Sequence, residues 1–466
     1  MNKLVWILCA FCLLAAPAPP LLGLAGALLL VVTVVAAVAR PRDLRWEPIA
    51  VVTVVNMAYW GLNALLVAER SLGGVFSWSF VRWQGRGVLC YVPLLCLALR
   101  GRRFSLSLKR LLNVYVLVFA LVAAAGAAQL ALGIHPELPN DLQPTAWPVR
   151  YMHGGVWFFG LHRSHSAAGA AFGSAALAAW LLLLLRPARK WKWLLPCFAL
   201  IAWALLFTKS RTYVCAFLFA AFVAWVGVVA ARRRAVVGKA GRGVAFVLTL
   251  LVCLALVPGG YSRYASMVGL PAKFSAHPAR PDGGQTPEPA EPAPATQPPA
   301  GQPPQEEPQM EEVTALNRKT YWRAGLKMAA ARPLLGVGLG RYGQVFYELG
   351  FRTPWKPRLA MMHAHNSFVH YMAELGLLGV ALQAALWGAV VVCLAPPVWA
   401  SLREKGAPGE SALVAFGLVV MHLVASMVAH VLWSPAAMLP VTAAVTLALT
   451  ARTTARVDDQ PAGEMP

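Results

Sequence analysis

The chain has 466 residues, of which 58% are hydrophobic and only 13% charged, with a mean hydropathy of +0.59. Soluble domains carry about one quarter charged residues, so a string of them is excluded and lipid is the expected solvent. The formal net charge of +22 would suit nucleic acid. However, the basic residues fall in short clusters between apolar runs, such as Arg40, Arg42 and Arg45 or Arg232, Arg233 and Arg234, which is a positive-inside topology pattern and excludes a nucleic-acid surface.

A bilayer core needs about 20 apolar residues per helix. Such runs recur, with some shorter, at 4–17, 21–39, 47–68, 80–99, 112–133, 165–185, 191–207, 211–230, 243–258, 367–395, 411–429 and 433–451. The sequence therefore predicts an all-α integral membrane protein of about twelve transmembrane helices. The fourth run carries Arg82 and Arg86 near its start. The first run is read as a retained helix, because Pro17, Pro19 and Pro20 suit a leader-cleavage site poorly. The eight cysteines lie in or beside apolar runs and are read as small buried hydrophobes, not disulfide or metal partners.

Placing the basic clusters inside puts both termini in the cytoplasm and segments 134–164 and 259–366 outside. The expected organisation is a bundle over 1–258, a long outer loop over 259–366 between the ninth and tenth spans, C-terminal helices over 367–451 and a tail over 452–466. The first outer loop carries His135, His153, Trp157, His162, Arg163 and His165. In the second, residues 276–312 are dominated by Pro, Gln, Glu and Ala, a composition unable to bury a core and read as a disordered insert. Beyond it, TALNRKTYWRAGLKMAAARP predicts an amphipathic helix, N-capped by Thr314, ending before Pro333 and lying near the membrane surface.

Acidic residues are scarce: within the predicted spans Glu374 stands nearly alone, which makes paired carboxylates hard to assemble. Proton- or ion-coupled transporters usually keep intramembrane acids, so transport is the weaker reading from a different class. HAHNSFVHYMAELGLLG instead places His363, His365, Asn366 and His370 at the outer start of a span. An imidazole there suits a general base or proton shuttle; solvated loop histidines, or a metal pair with no evident third ligand, are the alternatives. Ser210 and Arg211 sit at a tight outer turn, where the guanidinium either snorkels to the interface or clamps a phosphate, with Arg318 and Arg323 as further candidates. LLGVGLGRYG has a Gly-x-Gly-x-Gly pattern but no preceding strand, so it is read as a tight turn against the bundle and not as a dinucleotide site. Trp147, Trp157, Trp322 and Trp355 are read as interfacial anchors.

Taken in order, Ser210-Arg211, Arg318-x-x-x-Trp322, Pro333-Leu-Leu-Gly336-Val-Gly338, His365-Asn366 and Glu374-Leu-Gly376-Leu-Leu-Gly379 resemble the O-antigen ligase/polymerase superfamily. The resemblance is close over 313–380 and loose over most of 100–451. It implies an inner-membrane enzyme working at the periplasmic face on an undecaprenyl-pyrophosphate-linked glycan donor, with no cofactor and no metal. The implied activities are O-antigen ligation to lipid A-core, polymerisation of the lipid-linked glycan, or protein O-oligosaccharyl transfer, with ligation the leading expectation. By the same resemblance His365 is the base, Arg211 and Arg318 neutralise the leaving pyrophosphate, His363 and Arg323 are second candidates, and Asn366 orients the base with Ser210 beside Arg211. The sequence departs from the family at GLHRSHSAAG, where His165 stands in place of an expected Asn.

Overall fold

The structure is a computed structural model. It describes residues 2–39, 44, 47–68, 87–99, 108–134, 148–152, 155–162, 164–186, 190–231, 236–257, 310–351, 363–403, 410–432 and 434–458. Most of the Pro-rich insert, Arg163, His135, His153, Trp147, Trp355 and the end of the C-terminal tail lie outside the described residues.

The helices are α1 Asn2–Leu14, α2 Pro19–Ala39, α3 Pro48–Ala68, α4 Val92–Leu95, α5 Leu108–Ala131, α6 His165–Leu185, α7 Trp191–Phe207 and α8 Arg211–Ala231. They continue with α9 Val236–Ala255, α10 Met310–Ala331, α11 Tyr342–Glu348, α12 Ser367–Arg403, α13 Glu410–Ser426 and α14 Pro435–Asp458. Six of them contain stretches long and apolar enough to cross a membrane: Pro19–Ala39, Pro48–Leu65, Arg110–Ala131, His165–Leu185, Arg211–Ala230 and Ser367–Leu402. Shorter apolar helices occupy the other expected spans, apart from the fourth. There the described residues 87–99 form a helical turn at 87–89, a turn at Cys90–Tyr91, α4 with Pro93 in its first turn, and a 3₁₀ turn at Cys96–Ala98. Among the described residues, the segment between α5 and α6 holds an antiparallel hairpin of β1 Val149–Met152 and β2 Gly155–Phe158. Gln129 at the end of α5 anchors it, donating to the Val149 carbonyl and accepting from the Val149 N–H.

Helix α6 is the bundle's axis, with 94% of its span window buried. Its sequence, HSAAGAAFGSAALAAW, is rich in Ala, Gly and Ser, so neighbouring backbones approach closely. A Cβ on Gly169 would lie 2.7 Å from that of Ser210, so this glycine lets the α7–α8 turn settle on the end of α6. At the opposite end of α6, Arg186 donates to Asn113 and lies 3.6 Å from Glu410, joining α5, α6 and α13. That end also carries basic residues such as Arg242, whose guanidinium donates to the Leu184 carbonyl at 2.6 Å.

Helix α10 begins at Met310, four residues before the expected Thr314 cap, so Thr314 lies inside the helix. It packs against α12: a Cβ on Gly325 would meet the Val369 side chain at 2.7 Å. The segment between α10 and α11 runs back against α12 where that helix breaks, at Gly376 (φ 66°, ψ −168°). The break releases backbone groups, and each finds a partner. Ala373 and Glu374 carbonyls accept from Val337 and Gly338 N–H, while Leu377 and Leu378 N–H donate to Pro333 and Leu334 carbonyls. Leu375's carbonyl accepts from the Tyr59 hydroxyl at 2.6 Å. Asn63 adds a bond from its amide to the Leu335 carbonyl and accepts from Leu339 N–H. The Gly-x-Gly-x-Gly pattern thus serves the tight turn expected of it.

Two glycines make that contact. Gly336 and Gly376 both have positive φ, and a Cβ on either would meet the facing backbone, Glu374 in one case and Leu334 in the other. Gly336→Ala and Gly376→Ala should each lower stability by about 1–3 kcal/mol or more. Gly388→Ala, in the same helix with nothing within 4 Å, should be neutral. Melting in detergent followed by size-exclusion fluorescence checks this; equal melting of all three variants would refute the packing argument.

Candidate functional site

The site forms where the start of α12, the face of α10 and the α7–α8 turn meet. Asn366 is the N-cap of α12: its side-chain oxygen accepts from Phe368 and Val369 N–H at 2.9 and 3.1 Å. Its amide donates to the Met427 carbonyl at 2.7 Å, and the Ser367 hydroxyl donates to Ala429 and accepts from Val431 N–H. These bonds tie the α13–α14 connection to the start of α12. Asn366 therefore acts on its neighbour His365 through the backbone, not through a bond to the ring.

His365 adopts φ 51°, an unusual conformation for a residue with a side chain. Its ring lies 5.2 Å from that of Tyr321 on α10 and 4.3 Å from that of His363. Tyr321 is itself held, its carbonyl accepting from the Tyr342 hydroxyl. Arg318, one turn before Tyr321, is close enough for its charge to act on His365, and Arg211 is close enough to act on Arg318. Burial, then the Arg211 charge, pushes the Arg318 pKa below its ordinary value. Two guanidinium groups brought together repel, and an anion placed between them relieves that cost.

Arg211 is the first residue of α8, and the buried Ser210 beneath it packs on α6. Lys209, with φ 55°, shapes the turn and sets its ammonium 4.9 Å from the Trp157 ring centre. Trp157 in turn lies 5.4 Å from His165 at the start of α6. His162 is buried in the turn between the hairpin and α6. Of the residues singled out in the sequence, the structure gathers His365, His363, Arg318 and Arg211, with Asn366 and Ser210 supporting the backbone. Arg323 is not gathered with them: it is exposed and about 140° around α10 from Arg318.

Three further groups join the cluster. His430, in the α13–α14 connection, lies 4.9 Å from His363 and 4.3 Å from His370, ring to ring. His370 Nε2 is 3.4 Å from Glu374 Oε2, and the Glu374 carboxyl accepts from Gly340 and Tyr342 N–H at 2.8 and 2.9 Å. His430 is remote from the sequence motif, although a histidine at the end of an apolar run is a detectable signal. Among the described residues no group of three His, Cys, Asp or Glu side chains is arranged to hold a metal ion.

Burial, with the added charges of His363, Arg318 and His370, pushes the His365 pKa down to about 2. Burial pushes His363 down to about 4, and His430 is also held well below the usual histidine value. Both described loop imidazoles of the motif are thus neutral at ordinary pH. In the unfolded chain they titrate near 6.5, so below that pH the unfolded state binds more protons and stability falls with acidification. The melting temperature should drop between pH 6.5 and pH 4.5, and His363→Gln should make the drop shallower. An unchanged slope in that variant would show that His363 is solvated.

Residues 196–384 match the family model described as O-Antigen ligase. No curated protein matches the chain. The matched stretch contains Ser210, Arg211, Arg318, His363, His365, Asn366 and Glu374, together with the paired Gly336 and Gly376, while His430 and the hairpin fall outside it. Over residues 196–384 this multi-pass membrane protein is thus similar to the O-antigen ligase family.

Proposed function

We propose that the protein is an O-antigen ligase that moves a glycan from undecaprenyl pyrophosphate to lipid A-core at the periplasmic face of the inner membrane. The observation that carries this reading is the meeting of a neutral, half-buried His365 with the Arg318–Arg211 pair. In this mechanism His365 takes the proton of the acceptor hydroxyl as its oxygen attacks the anomeric carbon. Attack from the face opposite the pyrophosphate inverts the configuration. Arg211 and Arg318 receive the negative charge that collects on the leaving pyrophosphate, a role suited to preorganised cations in a site of restricted water access. Polymerisation and protein O-oligosaccharyl transfer use the same donor chemistry and differ in the acceptor.

Purified protein in detergent, supplied with an undecaprenyl-pyrophosphate-linked glycan, tests the reading. Lipid A-core, a second lipid-linked glycan and a Ser/Thr-rich pilin-like protein are offered as separate acceptors, with chelator present. Transfer to lipid A-core is expected, falling about 100-fold or more in folded His365→Ala and in Arg211→Ala or Arg318→Ala. A folded His365→Ala protein as fast as wild type would remove the base. Transfer to the second lipid-linked glycan alone would make the protein a polymerase.

The acid side of the pH profile gives an independent check. A free imidazole base is half lost near pH 6.5, and kcat/KM reports the free enzyme. With the His365 pKa down at about 2, its base form persists on acidification. Accordingly kcat/KM should stay level from pH 7.5 to pH 5.5; a fall with a midpoint near 6.5 would mean that an exposed imidazole supplies the base.

A further inference from the structure

A line of rings leads away from His365 into the protein. His365 contacts His363, His363 contacts His430, and His430 contacts His370, with ring centres 4.3, 4.9 and 4.3 Å apart. The line ends at Glu374, 3.4 Å from His370. Ordinary packing does not account for it. The Nδ1 atoms of His363, His370 and His430 are buried with no hydrogen-bond partner among the described residues. A buried polar atom left so forfeits its hydration, and an apolar side chain of similar volume would be favoured in its place. Yet the rings are held in position. Ser367 fixes the backbone beside His430, and Tyr91 donates to the Leu432 carbonyl just beyond. Gly340 and Tyr342 N–H groups hold the Glu374 carboxyl. The other groups facing the line are Arg318 and Tyr321 at His365 and the Tyr342 ring at His370.

The two ends differ in charge. A proton left on His365 sits beside the Arg318 cation, an unfavourable place for it. At the inner end a carboxyl group is in contact with the ring, and one proton added to a neutral imidazole and a carboxylate leaves that pair uncharged. We infer that His363, His430 and His370 pass the proton taken by His365 inward to Glu374, making His430 and His370 positioning residues for glycan transfer. This rests on the transferase reading above.

The acceptor O–H bond breaks, and its proton goes to a nitrogen of His365. The oxygen's electron pair forms the new bond to the anomeric carbon, and the old bond's pair leaves on the pyrophosphate. Each ring then accepts the proton on one nitrogen and releases one from the other, reorienting between transfers. The last proton rests on the His370–Glu374 pair and returns to water along the same line after the product departs.

Single-turnover transfer by His430→Gln, His370→Gln and His430→Ala tests this, with folding checked by size exclusion and melting. The transfer step should slow about 10-fold or more in each variant. KM for donor and acceptor should stay within about twofold. Imidazole added to His430→Ala should restore part of the rate, which a purely structural loss would not allow. Wild-type rates in folded His430→Gln and His370→Gln would overturn the inference, as would a slowed His430→Ala that imidazole leaves unchanged. If wild-type protein transferred glycan to no acceptor, the transferase reading itself would fall and the relay with it, an outcome visible without any variant.

Discussion

Much of the site depends on one backbone contact, the mutual approach of Gly336 and Gly376. A helix break inside an apolar span exposes donors and acceptors that lipid cannot satisfy, and each would cost several kcal/mol. Here the Pro333–Gly338 segment supplies partners for Ala373, Glu374, Leu377 and Leu378, and Tyr59 takes the Leu375 carbonyl. Only residues without a Cβ allow the two backbones so close. The contact does more than terminate a helix. It delivers Gly340 and Tyr342 N–H to the Glu374 carboxyl, and Tyr342 reaches back to the Tyr321 carbonyl beside His365. The position of α10, and so of Arg318, is linked through these bonds to a break that lies deeper in α12.

On that frame the electrostatics have a consistent logic. Burial keeps the loop imidazoles neutral, and the Arg318 and Arg211 charges oppose protonation of the ring that would act as base. The same cations that disfavour a proton on His365 favour an anion beside it, so on the proposed reading one arrangement would serve both halves of a displacement: a base on one reactant and charge neutralisation on the other. Replacing either arginine by a neutral side chain would therefore change the base's protonation as well as the binding of an anion.

How much of this the sequence disclosed depends on the range of the interaction. Apolar length located the helices well, because bilayer thickness and side-chain burial act locally along the chain. Within the expected span at 80–99, the described residues 87–99 are interrupted at Cys90–Tyr91 and end in a 3₁₀ turn, so a continuous helix is not seen over them. The β1–β2 hairpin was equally hidden, since two four-residue strands beside a span carry little periodic signal and depend on Gln129, about twenty residues earlier in the chain. His365, Arg318 and Arg211 were legible because they sit in short motifs whose order is distinctive. Arg323 shared that motif, but the angle between positions on a helix turned it to the exposed side. His430 was not legible, because Asn366 and Ser367 bring it in from more than sixty residues away through bonds that no local pattern records.

The scarcity of acids gains meaning from the same geometry. In the sequence Glu374 is a lone carboxyl in an apolar span, where such a group is costly and usually functional. The structure gives it two backbone donors and one imidazole, so its isolation in sequence becomes close coordination in space. One group thereby meets two demands. It holds the loop that supports Tyr321, and it stands at the end of the histidine line furthest from the arginine pair. A carboxylate set beside a guanidinium competes with any other anion for that cation. Among the described residues a series of histidine rings thus separates this carboxyl group from the arginine pair, so the acid and the cations occupy opposite ends of one partly buried site.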